Sequence, residues 1–124
     1  MENLIIQGTK TSPFVSMDAA SGICEIRGSS YPENTSDFYA SVLKWINRYG
    51  LEVTGDINFV FRLDYLNSSS IKYISDIVDK LDKFAKVGLS VKVNWYYKAD
   101  DEDIKEMGEE LRDEVSYPFE VTEE

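Results

Sequence analysis

Three consecutive serines, Ser68, Ser69 and Ser70, follow Asn67 in the most chemically suggestive stretch of the chain. An alternating apolar segment leads into them and an amphipathic segment leads out, so they lie at a predicted strand-to-helix turn. The first N–H groups of a helix have no intrahelical partner and favour negative charge. A phosphate on one of these serines would lie where the fold can hold it or present it to a partner. The pattern indicates a regulated binding module.

The same turn fits two other interpretations. Asn and Ser are favoured helix caps, so the turn can be purely structural, as in a constitutive interaction scaffold. Lys72 follows Ser68 by four residues, near one helical turn away, which leaves a small Ser–Lys hydrolase open. Histidine is absent from the chain. Its absence excludes Ser-His-Asp and Cys-His catalysis and removes the commonest transition-metal ligand.

The carboxylates and the cysteine offer no better site. The acidic run from Asp100 to Asp103 begins a predicted helix, where the helix dipole favours negative charge. Hydrolysis by a carboxylate pair stays a minor alternative, and no Asp-x-Asp-x-Asp-Gly loop indicates calcium. Cys24 is the only cysteine, so neither an internal disulfide nor a cysteine metal cluster can form. We expect no catalytic residue, no metal site and no cofactor.

The composition is that of a folded, acidic protein. Of its 124 residues 43% are hydrophobic, which suits one domain over residues 1–124 with one core. The formal net charge of -10 disfavours nucleic acid and anionic membranes and favours a basic patch on a protein partner. The first residues lack the features of a signal peptide, and no apolar run reaches membrane-spanning length. We therefore expect a cytoplasmic protein.

Hydrophobic periodicity predicts strands and helices in alternation after an initial group of strands. Short connections between the first three strands predict an antiparallel meander. The clearest strand has Ile57, Phe59, Phe61, Leu63 and Tyr65 on one side. The predicted elements are strands at 4–6, 14–18 and 23–28, a helix from 35 to 50, a strand at 57–66, a helix with its apolar face at 71–85, a strand at 89–97, a helix at 101–115 and a short strand at 118–121.

The order of these elements predicts the fold. The β-α-β unit from Ile57 to Tyr97 should be parallel and right-handed. We expect an α/β (α+β) fold, a single domain in which a mixed β-sheet carries its helices largely on one face. Gly50 is predicted to end the first helix, and residues 122–124 to form a frayed tail. Cys24 and Trp95 are predicted to be buried.

A second polar segment precedes the first helix. Pro32 biases the preceding residue away from helix, and Asn34 or Thr35 can cap the helix that follows. The segment is either a capping loop or part of a binding surface shared with the serine turn, where Glu33 would meet a basic group. The candidate partner-binding residues are Tyr31, Pro32, Glu33, Asn34, Asn67 and Lys72.

These segments resemble known regulatory proteins. A strand followed by Asn/Asp-Ser-Ser and a helix is similar to the phosphorylation turn of STAS domains, including the SpoIIAA-type anti-sigma-factor antagonists. Residues 28–34 together with residues 65–72 resemble more closely the SiaC family of bacterial regulatory phosphoproteins, which are STAS-like. Residues 116–119 are a looser third match, and the resemblance covers nearly the whole chain.

The resemblance implies a STAS-like, non-enzymatic phospho-switch. A dedicated Ser/Thr protein kinase phosphorylates such proteins, and a PPM-type phosphatase reverses the modification. The unphosphorylated form binds an effector, which in the best-known system is a diguanylate cyclase of cyclic-di-GMP signalling. Both family patterns place the acceptor at Ser68. The SiaC acceptor is threonine, so the hydroxyl is kept here while Ser69 and Ser70 become chemically similar neighbours.

Overall fold

Six strands pair in sequence order to form one sheet. The computed structural model describes residues 1–124. The elements are β1 (Leu4–Ile6), β2 (Phe14–Met17), β3 (Ile23–Ser30), α1 (Thr35–Arg48), β4 (Ile57–Leu66), α2 (Ser68–Lys86), β5 (Val91–Tyr97), α3 (Glu102–Asp113) and β6 (Phe119–Glu123). A π-helical turn, Tyr49–Val53, continues α1.

The sheet is mixed, as predicted. Strands β1, β2 and β3 pair antiparallel, whereas β3, β4, β5 and β6 pair parallel. Right-handed crossovers between successive neighbouring strands return to the same side of a sheet, so the three α-helices share one face. The other face carries no helix, and we call it the open face.

The core lies between the sheet and the helices. Phe59, Phe61 and Trp95 are fully buried. The ring centroid of Phe61 lies 4.7 Å from that of Phe59 and 5.2 Å from that of Trp95. The indole Nε1 of Trp95 donates to the carbonyl of Ile104 at 2.9 Å, which ties α3 to the sheet. Cys24 is buried, as predicted. Burial raises the pKa of its thiol to about 12, and the nearby negative charge of Asp18 contributes to this increase.

Each α-helix begins at a polar side chain that accepts a backbone N–H. Asn34, Asn67 and Asp101 accept the N–H three residues further on, at 3.1, 2.9 and 3.1 Å. This geometry satisfies one of the unpaired donors of the first turn. Asn34 is therefore the cap of α1, and Thr35 is the first helical residue.

Gly50 does not end the first helix. The chain continues through the π-helical turn to Thr54, whose left-handed φ of 51° ends it. A Cβ at Gly50 would lie 2.2 Å from the Phe84 ring. The glycine therefore lets the aromatic ring on α2 pack against the backbone after α1, a tertiary contact that the sequence pattern does not reveal.

The predicted alternation along β4 is broken at its end. Gly28 pairs with Leu63, and the next pair joins Ser29 to Tyr65, so Asp64 is an extra residue in a β-bulge. The bulge shifts the alternation by one residue. Tyr65 is consequently 54% exposed, and Leu66 is buried at 8%. The prediction that Tyr65 lies on the same side of β4 as Phe61 and Leu63 was wrong, because it assumed an uninterrupted register.

The C-terminal residues are paired instead of frayed. Strand β6 runs to Glu123, and the N–H of Glu124 donates to the carbonyl of Tyr97 at 2.8 Å. The carboxylate of Glu124 also lies 3.0 Å from Nε of Arg62. The predicted frayed tail at 122–124 is therefore wrong, because these residues pair with β5 and with the open face.

Close packing of α3 on β5 predicts the effect of enlarging Gly108. A Cβ at Gly108 would lie 2.3 Å from Cδ1 of Trp95. We expect Gly108→Ala to lower the free energy of unfolding by about 1–3 kcal/mol, although Ala is the better helix former. Urea denaturation measures the change. The matched control is Glu110→Ala on the exposed side of α3, and an unchanged midpoint for Gly108→Ala would contradict the packing.

Asp82 predicts a pH-dependent contribution to stability. Its carboxylate accepts the N–H and hydroxyl of Ser116 at 3.0 and 2.9 Å and pairs with Nζ of Lys86 at 2.9 Å. The backbone N–H of Ser116, then Lys86, lowers the pKa of Asp82 to about 2. Because this is below the unfolded value of about 3.9, the stabilisation is complete above that pH and is lost as the pH falls through 2.

We expect Asp82→Asn to lower the free energy of unfolding by about 1–3 kcal/mol at neutral pH. The difference from the wild type should shrink between about pH 4 and pH 2. Denaturation curves across this range measure it, with Asp76→Asn on an exposed position of α2 as the control. A difference that is constant with pH would show that the charge of Asp82 contributes nothing.

Candidate functional site

The two polar segments singled out in the sequence meet at one end of the sheet. Ser30 ends β3 and pairs with Leu66, which ends β4. Because the two strands are parallel, the loop at residues 31–34 and the serine turn at residues 67–70 leave the sheet side by side. The fold thus brings together Tyr31 and Asn67, which are far apart in the sequence.

Ser30 connects the two segments through a buried network. Its carbonyl accepts the N–H of Asn67 at 3.1 Å and the hydroxyl of Ser70 at 2.9 Å. Its own hydroxyl lies 2.8 Å from that of Ser70 and 2.6 Å from that of Tyr39. All three side chains are buried. Burial raises the pKa of the Tyr39 hydroxyl, although Ser30 and Ser70 act to lower that pKa. The network therefore consists of neutral hydroxyls.

The network separates the three serines of the turn. Ser70 is fully buried, and its hydroxyl is held by Ser30, so Ser70 is a structural residue. Ser68 and Ser69 are exposed in the first turn of α2. Their N–H groups lie where no intrahelical carbonyl is available. Two accessible hydroxyls thus lie at the positive end of a 19-residue helix.

Aromatic side chains lie beside the turn. The rings of Tyr31 and Tyr65 pack edge to face, with centroids 5.7 Å apart at 78°. Tyr31 is half-buried, as is the neighbouring Pro32, whereas Tyr65 is exposed. Tyr65 is not among the residues predicted from the sequence to bind a partner. The sequence pattern does not predict that Tyr65 is exposed, because its exposure depends on the β-bulge at Asp64.

The remaining candidate residues surround this aromatic pair. Glu33 is exposed and free to meet a partner. Asn34 is exposed too, but its side chain caps α1 and donates to the Asp37 carboxylate at 2.7 Å. Lys72 is exposed, with Nζ 5.6 Å from the centroid of the Tyr73 ring.

Ser68 and Lys72, the candidate Ser–Lys pair, are both exposed on α2. Ser68 and Lys72 make no hydrogen bond, so the geometry gives no support to a Ser–Lys nucleophile. No group of three or more acidic or cysteine side chains is placed to hold a metal ion. No helix combines the length and apolar character needed to cross a bilayer. What the site does offer is a rigid, exposed surface with hydroxyl, aromatic and charged groups.

The buried network predicts different costs for neighbouring serines. We expect Ser70→Ala to lower the free energy of unfolding by about 1–3 kcal/mol, because the hydroxyl and the carbonyl of Ser30 each lose a partner. Ser69→Ala, one residue away and exposed, should change it by less than about 0.5 kcal/mol. Chemical denaturation of both variants measures the contrast. Equal effects at the two positions would contradict a structural role for Ser70.

Comparison with known proteins gives a consistent family and fold. Residues 6–124 match the family described as SiaC family regulatory phosphoprotein. SiaC of Pseudomonas aeruginosa has the same fold, with a TM-score of 0.94 and 33% identity over 100% of both chains. The SiaC chain in the crystal structure of the diguanylate cyclase SiaD in complex with its activator SiaC, from the same organism, gives a TM-score of 0.93 and 34% identity, covering 98% of this chain and 99% of that chain.

A further relative is an uncharacterized protein of Pseudomonas aeruginosa (strain UCBPP-PA14), 35% identical over 121 residues, which are 98% of this chain and 96% of the relative. The family match extends over nearly the whole chain. It confirms the resemblance seen in residues 28–34 and 65–72, and with it the fold class and the expectation of a regulatory, non-enzymatic protein. The chain belongs to the SiaC family of regulatory phosphoproteins.

Proposed function

We propose that this protein is a partner switch controlled by phosphorylation of Ser68. In its unphosphorylated form it binds and activates a diguanylate cyclase, and the phosphorylated form releases that effector. The observation that carries the proposal is the exposed Ser68 hydroxyl at the first residue of α2, beside a surface that Ser30 holds in place. A kinase can reach such a hydroxyl without unfolding the domain.

The choice of Ser68 rests on its place in the turn. Ser70 is buried and hydrogen-bonded, which leaves Ser68 and Ser69 as accessible acceptors. Ser68 directly follows the capping Asn67, and that is the position of the acceptor in the SiaC-like and STAS-like pattern. It is also the nearer of the two in sequence to Tyr65.

Phosphate at Ser68 would alter the surface more than the fold. It adds about 1.5 to 2 negative charges and strong acceptor oxygens at pH 7. The unpaired N–H groups and dipole of α2 favour this charge, so the helix persists. A partner that covers Tyr31 and Tyr65 would have to desolvate the dianion, which is costly without a cation. Loss of effector binding is the expected consequence.

The proposed effector is a diguanylate cyclase because a relative at 34% identity is the activator of the cyclase SiaD and forms a complex with it. A dedicated Ser/Thr kinase and a PPM-type phosphatase are the proposed modifying enzymes, as in the family pattern. The kinase needs ATP, so we propose a cytoplasmic location. The net charge of -10 fits a contact surface with basic residues on the partner.

Calorimetry with the cognate cyclase tests the switch. We expect stoichiometric phosphorylation at Ser68 to weaken binding about tenfold or more. Ser68→Ala should bind like the unmodified wild type and should not respond to the kinase. Ser69→Ala is the matched control, since it removes the neighbouring exposed hydroxyl and should stay fully switchable.

Two results would contradict this proposal. If the authentic phosphoprotein binds the cyclase as tightly as the unmodified protein, phosphorylation is not the switch. If peptide fragmentation places the phosphate on Ser69, the switch remains but the acceptor is wrong.

A further inference from the structure

Two arginines lie side by side on the open face of the sheet. Phe14, Arg27, Arg62 and Tyr96 are register partners across β2, β3, β4 and β5. The guanidinium of Arg27 lies 4.2 Å from the centroid of the Phe14 ring, and that of Arg62 lies 4.5 Å from the Tyr96 ring. Each guanidinium is therefore in cation–π contact with the aromatic ring of a neighbouring strand.

Direct pairing of like charges across strands is destabilising unless an anion lies between them. Glu25 supplies one, with its two oxygens 3.2 Å from Nη1 of Arg27 and 2.6 Å from Nη1 of Arg62. Glu124 lies 3.0 Å from Nε of Arg62. Nε and Nη2 of Arg27 and Nη2 of Arg62 make no hydrogen bond within the protein, so the pair retains donors for a further anion.

Arg27 and Arg62 line a cavity of about 410 Å³ toward the carboxyl ends of the parallel strands. Small-molecule sites have volumes of roughly a few hundred Å³. Lys98, whose Nζ pairs with Asp64 at 3.0 Å, lies along one wall, and Gly8 and Gly28 leave the backbone bare on another. The volume exceeds what an inorganic anion needs, and the aromatic walls suit a flat ring.

We propose that this cleft binds a nucleotide, with a phosphate on the free guanidinium N–H groups of Arg27 and Arg62 and the base against the ring of Tyr96. Arginine is the side chain whose planar donor array fits phosphate oxygens. Glu124 already holds Nε of Arg62 through its carboxylate, so a bound phosphate competes with Glu124. Ser68 is not part of the wall, and the site is independent of the proposed phosphorylation.

Calorimetric titration of the full chain with AMP, GMP and cyclic diguanylate tests the site, with inorganic phosphate and guanosine as partial ligands. We expect at least one nucleotide to bind about tenfold more tightly than either partial ligand. Cyclic diguanylate as the preferred ligand would mean that the product of a diguanylate cyclase acts back on its regulator. Preference for a mononucleotide would mean a signal from another source.

The variants assign the binding to the arginine pair. Arg27→Gln and Arg62→Gln should each weaken binding about tenfold, whereas Glu124→Gln should strengthen it severalfold by freeing Arg62. Lys92→Gln is the matched control, because Lys92 lies on the same strand as Tyr96 but outside the cavity and pairs with Glu120. Thermal melting confirms that each variant is folded, and Arg27→Gln retains the bonds from Arg62 to Glu25 and Glu124.

The proposal is overturned if no nucleotide gives saturable binding to the wild type. It is also overturned if inorganic phosphate binds as tightly as every nucleotide, or if Lys92→Gln weakens binding as much as Arg27→Gln. Unchanged affinity in Glu124→Gln would contradict competition between Glu124 and the phosphate. Binding at Arg27 and Arg62 with normal effector switching would separate this site from the phospho-switch.

Discussion

One peptide carbonyl, that of Ser30, fixes the geometry on which the regulatory surface depends. It accepts a hydrogen bond from the Asn67 backbone and another from the Ser70 hydroxyl at the start of α2. The loop before α1 therefore cannot move without disturbing the serine turn. Because both bonds are buried, breaking them would leave polar groups without partners. This contact therefore fixes the distance between the exposed residues of the loop at 31–34 and those of the serine turn.

The two faces of the sheet carry different kinds of side chain. The helical face carries the apolar core, with Phe59, Phe61 and Trp95 at its centre. The open face carries charged and aromatic side chains in register, of which Arg27 and Arg62 are the clearest pair. The proposed phosphorylation turn at the end of the sheet and the proposed nucleotide cleft on its open face are therefore built from different residues.

The sequence predicted the fold well because its signals were local. Periodicity located every strand and α-helix, and element order with right-handed crossovers placed the helices on one face. Asn34 was one of two predicted caps of α1, beside Thr35, and the structure selects it. The errors concern contacts between distant residues, such as Gly50 against Phe84 and Glu124 on Arg62. The buried role of Ser70 also depends on a partner forty positions away.

The bulge at Asp64 has a consequence for how such regulators diversify. By turning Tyr65 outward, it removes this side chain from the core, while Leu66, the last residue of β4, stays buried. Position 65 can then change identity without a penalty in core packing. A substitution at this one position therefore changes the surface beside the serine turn while the core stays the same. A single inserted residue in a strand thus separates recognition from stability.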